Sequence, residues 1–219
     1  MKAFIVVIIL VLMPLVAWAQ AEQPMMKHPL AEQQGISISL RGGYQFASLE
    51  DWENQFEPKP KTALTGIGGE VNYHAASLFI VGGGYEYYFS QTVKVENMTP
   101  NVEDHVTMSF LYGSVKAGIS LGDMKEYFLY GGVDAGMLTG TENAKVSGST
   151  LESTGSVLAF RPKVGLIGFL GDSWSGTMEA GYLIGNVDEV KFNDVTIPGY
   201  TLDISGLSLV FAVSYHLPL

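Results

Sequence analysis

Residues 36–46 read Ile-Ser-Ile-Ser-Leu-Arg-Gly-Gly-Tyr-Gln-Phe. In an extended chain Ile36, Ile38, Leu40, Gly42, Tyr44 and Phe46 share one side, and Ser37, Ser39, Arg41, Gly43 and Gln45 the other. Successive side chains of a strand point to opposite faces, so this is a strand with one apolar and one polar face. The same period of two recurs seven more times. It sets Glu70, Asn72 and His74 against Ile67, Val71 and Tyr73, and Glu86, Tyr88 and Lys94 against Phe79, Val81 and Tyr85. Further on, Ser114 and Lys116 oppose Val115, Ala117 and Ile119, while Glu126, Tyr130 and Asp134 oppose Tyr127, Leu129 and Val133. The last three strands set Arg161 and Lys163 against Phe160 and Val164, Glu179 against Met178 and Ala180, and Ser208, Ser214 and His216 against Leu209, Phe211 and Val213. One segment breaks phase: Val106, Met108, Phe110 and Tyr112 alternate out of step with Val115, Ala117, Ile119 and Leu121, which predicts a bulge near Gly113.

The connections alternate in length. They are long at about 48–61, 96–105, 140–155 and 186–203, and short at 75–77, 122–125 and 171–173. An even number of strands of ten or more residues, tight at one end and elaborate at the other, predicts an all-β fold: an eight-stranded antiparallel up-and-down transmembrane β-barrel. Aromatic residues toward strand ends, among them Tyr44, Tyr73, Phe79, Phe89, Tyr127, Trp174 and Tyr215, suit two interfacial girdles.

Composition narrows the classes further. The 219 residues hold 12 basic and 22 acidic side chains, a formal charge of −10, with 26 glycines and no cysteine. A disulfide scaffold, a thiolate metal site and a cysteine nucleophile are excluded, and the acidity argues against nucleic acid as a partner. Lys2, an apolar run from Phe4 to Val16 and the ending Ala17-Trp18-Ala19 read as a signal peptide over residues 1–19. Residues 20–34, polar and carrying Pro24 and Pro29, read as a flexible periplasmic lead-in, and 35–219 as the barrel.

A secreted soluble barrel around a ligand would show the same alternation with its apolar face inward, and charge bookkeeping separates the two. The polar strand faces carry Arg41, Lys94, Lys116, Arg161 and Lys163 against Glu70, Glu86, Glu126, Asp134 and Glu179, a net of zero. Balance of this kind is what a closed lumen requires, because an unpaired charge there suffers a desolvation penalty of several kcal/mol. These ten residues are the expected lumenal charge network. The four long loops hold thirteen acids and four bases, a net of −9.

The signal peptide, the glycine- and tyrosine-rich strands and the closing strand Gly206 to Tyr215 resemble the small outer-membrane β-barrel proteins of the OmpA/OmpX type, over about residues 35–217. The resemblance implies residence in the bacterial outer membrane, lipids as partners, and a final strand whose aromatic residue is read by the barrel-assembly machinery. Here the chain runs past Tyr215 to Leu219. Pro162 is a second departure, since a closed barrel has no edge to excuse a missing N–H, and counting up from Leu170 puts it near the outer rim. Some barrels of this kind modify lipid A as deacylases or acyltransferases, which makes that activity the alternative.

Catalysis of that sort needs a histidine within reach of a serine and held by a carboxylate. His74 and Ser77, with Glu70 upstream, have the wrong spacing for a strand motif and fall at a tight turn, so His74 reads as a polar rim residue, as does His216. His105 beside Glu103 and Asp104 reads as part of a solvated acidic loop. Gly82-Gly83-Gly84 lacks the helix and lysine of a phosphate cradle and reads as room for close strand approach. Trp52 and Phe56, aromatics on the first long loop, are the candidates for recognition of an extracellular ligand. The expectation is therefore a monomeric, non-enzymatic barrel with no catalytic, cofactor or metal site, its role structural or one of surface recognition through acidic loops.

Overall fold

The computed structural model describes residues 35–47, 63–76, 78–89, 93–95, 102–121, 126–146, 149–171, 173–187, 190–192, 195–197 and 202–218. In chain order these hold β1 (Gly35–Ala47), β2 (Ala63–Ala76), β3 (Phe79–Phe89), β4 (Val93–Val95), β5 (Val102–Leu121), β6 (Tyr127–Val146) and β7 (Ser149–Leu170). There follow β8 (Trp174–Leu183), β9 (Asn186–Val187), β10 (Val190–Phe192), β11 (Val195–Ile197), β12 (Leu202–Asp203) and β13 (Gly206–Pro218). Residues 1–34 lie outside the described set, and with them the expected signal peptide and lead-in.

Eight strands make the wall, each antiparallel to both neighbours in the order β1, β2, β3, β5, β6, β7, β8, β13. The ring closes where β13 returns to β1, from Gly35↔Pro218 to Ala47↔Gly206. Closure leaves the wall no free edge, which allows strands to stand in an apolar solvent. Side-chain burial runs opposite to that of a soluble protein. Leu40 is 67% and Val164 62% exposed on the outside, whereas Arg41 is 3% and Asp134 0% exposed on the inside.

The tight-turn end carries Leu78 between β2 and β3 and Gly171 after β7, the latter at φ 72°, a left-handed conformation that glycine adopts without strain. The pairing of β2 with β3 shifts by one residue between His74 and Ala76 as the chain enters the first of these turns.

No bulge occurs at Gly113. β5 pairs without interruption with β3 and with β6, and Met108, Phe110, Tyr112, Ser114 and Lys116 all face inward. The apparent change of phase is a change of lumenal chemistry along one face: the loop end of the lumen is apolar and the middle is charged. Pro162 is also not at the rim. It lies within β7 opposite Val133 of β6, and the β7–β8 ladder stops at Lys163↔Gly181 and resumes only as the bridge Phe160↔Ile184. The pairing on both sides of the gap keeps one register, so the interruption falls where proline has no N–H to give.

The loop end contains more sheet than its composition announces. β5, β6 and β7 run for 20, 20 and 22 residues, and β6 pairs with β7 as far as Val146↔Ser149. About 9–11 tilted residues suffice to cross a bilayer. The three strands therefore rise past the ends of β3 and β8, with β4 added beside β5 and the β10–β11 hairpin beside β7. Much of 102–105 and 140–155 is strand rather than loop, because the hairpin ladder continues in register.

Candidate functional site

Lumenal charges lose bulk water once the barrel closes, so a buried charge there is stable only if it is paired across the ring. Eight of the ten charged residues expected in the lumen are buried together at mid-height: Arg41 of β1, Glu70 of β2, Glu86 of β3, Lys116 of β5, Asp134 of β6, Arg161 and Lys163 of β7, and Glu179 of β8. Four cations meet four anions. Arg41 donates through Nε to Glu86 Oε1 at 2.9 Å, through Nη2 to Glu179 Oε1 at 2.6 Å, and through Nη1 to Glu70. Arg161 donates through Nη1 to Glu86 Oε2 at 2.6 Å and through Nη2 to Asp134 Oδ2 at 2.7 Å. Lys163 Nζ lies 2.7 Å from Asp134 Oδ1 and 3.1 Å from Glu179 Oε2, and Lys116 pairs with Glu70. Each wall strand but β13 contributes a charge. A one-residue slip of any contributing strand would turn its charge toward the apolar outside, so the network specifies register.

Three tyrosines tie the layer together, and each lies against a glycine directly opposite on a neighbouring strand: Tyr88 with Gly66, Tyr112 with Gly84, Tyr130 with Gly165. A methyl group on Gly66 or Gly165 would meet the facing ring at 2.5 Å. The bare backbone lets the ring lie flat along the wall and carries its hydroxyl inward. Tyr112 donates to Glu70 Oε2 at 3.0 Å, Tyr130 to Glu179 Oε2 at 2.6 Å, and Tyr88 to Glu86.

Above this layer, toward the loop end, Leu64, Met108, Phe110, Leu138, Ala159, Leu183 and Ile204 form an apolar plug with the rings of Tyr88 and Tyr112. Below it, Ile80, Phe128, Tyr130, Ile167 and Phe169 form a second apolar cluster. Beside that cluster, at the tight-turn mouth, Ser37 Oγ lies 3.2 Å from His74 Nε2 and Ser175 Oγ 2.7 Å from His216 Nε2. Eight strands leave a lumen that side chains fill, and here they fill it in three layers.

The remaining expected residues lie elsewhere. Glu126 is half-buried one residue before β6, its carbonyl oxygen accepting the Phe169 N–H at 2.8 Å, and the ion pairs of the layer do not include it. Its position at the tight-turn mouth is too far along the strand axis to reach mid-height. Lys94 is on β4, opposite Glu103 in the sheet beyond the wall, and not on a wall strand; its side chain lies outside the described set. Trp52 and Phe56 also lie outside the described residues. Sequence reasoning placed Tyr88 and Tyr130 inward and missed Tyr112. Its parity with Ser114 and Lys116 was the available signal.

A family model described as an outer membrane protein beta-barrel domain matches residues 8–207. Among solved structures, Ail of Yersinia pestis, in complex with the heparin analogue sucrose octasulfate, is similar at TM-score 0.53 and 13% identity, covering 84% of this chain and 99% of that one. The Neisserial surface protein A is similar at TM-score 0.52 and 10% identity, covering 83% and 96%. OprG of Pseudomonas aeruginosa is similar at TM-score 0.51 and 14% identity, covering 86% and 99%. At such identities the likeness is one of fold. No curated protein sequence matches the chain.

Proposed function

The chain belongs to the family of outer-membrane protein β-barrel domains and resides in the bacterial outer membrane, and from that premise we propose that it is a monomeric, non-enzymatic barrel whose wall and lumen are structural and whose acidic extracellular end carries recognition. The observation that carries this reading is the sealed lumen. Among the described residues, the balanced charge layer and the apolar plug above it fill the lumen and close it to passage. A catalytic reading is further weakened at the two serine–histidine pairs: among the described residues neither imidazole is held by a carboxylate, and both sit at the periplasmic mouth, away from the outer leaflet.

What remains for partners is the loop end, with its net charge of −9 and the sheet built on β5, β6 and β7. Ail was crystallised with a sulfated heparin analogue. An acidic cap repels such a polyanion, so the loops of this chain favour cationic partners, or anionic surface lipids bridged by divalent ions. The acids are scattered, which points to weak, distributed binding. Lipids surround the wall, and the barrel-assembly machinery inserts it.

The test pairs two measurements. Expression of the chain leaves the lipid A acylation pattern unchanged, as read by mass spectrometry; a changed acyl chain number would establish the enzymatic alternative. Proteoliposomes carrying the chain associate with lipopolysaccharide vesicles in millimolar Ca²⁺ and release in chelator. Association indifferent to calcium would remove the bridging role.

A further inference from the structure

Barrel closure brings together two histidines that are far apart in the chain. β13 returns beside β1, and at the tight-turn end Ser37 of β1 stands opposite His216 of β13 and diagonally across from His74 of β2. Each imidazole holds a serine on its own side of this seam: His74 Nε2 lies 3.2 Å from Ser37 Oγ, and His216 Nε2 lies 2.7 Å from Ser175 Oγ of β8. The two rings then meet across the seam, buried and edge to face, with centroids 5.3 Å apart and planes at 62°. The ring of Phe169 on β7 packs against His216 at 5.6 Å.

We propose that His74 and His216 form an acid-sensitive latch on the seam between the first and last wall strands, closed while both rings are neutral and released at the tight-turn mouth when they take up protons. Neutral rings attract edge to face; two imidazolium rings at the same separation repel. A buried charge is stable only when paired, and the surroundings offer no free anion. The charged groups lining the cavity that both rings share are Arg41 of β1, Glu70 of β2 and Lys116 of β5. Glu70 already accepts from Arg41, Lys116 and Tyr112, so a proton on either ring faces two cations and a carboxylate in use. The lining from β3, β7, β8 and β13 is uncharged apart from His216 itself. On β6, Tyr130 is turned to Glu179, and Glu126, half-buried at the same mouth, makes no ion pair with either ring among the described residues. The protons are therefore taken up once the mouth opens to water. The open mouth binds up to two more protons than the closed one, so closure is favoured as pH rises and lost as pH falls through the ordinary imidazole range. With both rings titrating near pH ~6.5 when open, opening becomes about a hundredfold more favourable between pH ~7.5 and pH ~5.5, and about tenfold where one histidine remains. The release is confined to the mouth, because the matched ion pairs of the charge layer lie above it.

The chain holds four histidines, His28, His74, His105 and His216, and glutamine replaces each with a side chain that hydrogen-bonds without taking a proton. The experiment uses the whole chain refolded in detergent micelles without a histidine tag. Amide exchange at Ser37 and His216, corrected for the intrinsic pH dependence of exchange, is compared with that at Leu40 and Val213 farther along the same seam. Protection at Ser37 and His216 is expected to fall about a hundredfold from pH ~7.5 to pH ~5.5, while Leu40 and Val213 stay protected. His74→Gln and His216→Gln each reduce the fall to about tenfold, the two together abolish it, and His28→Gln with His105→Gln leaves it unchanged. Protection at the mouth that is indifferent to pH overturns the proposal, as does a fall that survives in the His74→Gln, His216→Gln double variant and so belongs to a carboxylate. Should a histidine variant lose its heat-modifiable gel migration, ring nitrogen shifts of the unmodified barrel decide: titration of His74 and His216 in step with the loss of amide protection supports the latch, and titration with protection intact overturns it.

Discussion

Replacing Arg161 by Met puts the lumenal network to a quantitative test. The guanidinium is 1% exposed, bridges Glu86 and Asp134, and lies over the rings of Phe110 and Tyr112 at 5.3 and 5.2 Å. Without it Glu86 keeps Arg41 at 2.9 Å and Asp134 keeps Lys163 at 2.7 Å, but three cations now face four anions in a closed space. Removing one member of a buried ionic set costs about 3–5 kcal/mol, chiefly from the charge left behind. Adding Glu86→Gln restores parity at three against three while keeping an oxygen for Arg41 to donate to. The double variant therefore regains most of the loss, with a coupling energy of about 2–3 kcal/mol. Urea unfolding of barrels refolded into phospholipid vesicles, followed by the fluorescence of Trp174 against Tyr215 at the tight-turn rim, measures the unmodified barrel, both single variants and the double variant. A loss under about 1 kcal/mol for Arg161→Met, or a double variant costing the sum of its parts, refutes the claim that balance governs the layer.

Other substitutions read the wall. Val71, 54% exposed on the outer face, costs about 2–4 kcal/mol as Val71→Arg in the same assay; Ser39→Ala costs about 1 kcal/mol, because its hydroxyl lies 2.8 Å from that of Ser214. Gly165→Ala drives a methyl group into the Tyr130 ring and loses about 1–3 kcal/mol, whereas Gly113→Ala, with its nearest neighbours at 4.0 Å, stays within about 0.5 kcal/mol; equal losses would dissolve the tyrosine–glycine argument. Limited proteolysis within 48–61 and 186–203 slows in millimolar Ca²⁺ relative to chelator. Identical cleavage would leave loop acidity with a solubilising role alone.

The eight wall strands were legible because a membrane barrel writes its two faces in alternation, as in Ile36 to Phe46. Legibility failed where one face changes chemistry. Met108, Phe110 and Tyr112 point inward with Ser114 and Lys116, and an apolar stretch of lumen imitates a lipid-facing one. Lys94 and Glu126 were placed in the lumen by parity alone, and parity does not say how far along the axis a residue lies. The sheet above the membrane was hidden because its segments are polar and acidic, so composition reads as loop while the pairing of β6 with β7 simply continues. The meeting of His74 with His216 depends on register across three strands, which no local pattern encodes.

The central claim, that charge balance and side-chain packing seal the lumen, is tested most directly by conductance. Purified barrel incorporated into a planar lipid bilayer is expected to give no stable single-channel steps at moderate voltage, and Arg161→Met the first leak if any variant does. Large, long-lived steps from the unmodified protein would contradict the sealed lumen and with it the structural role assigned to the network.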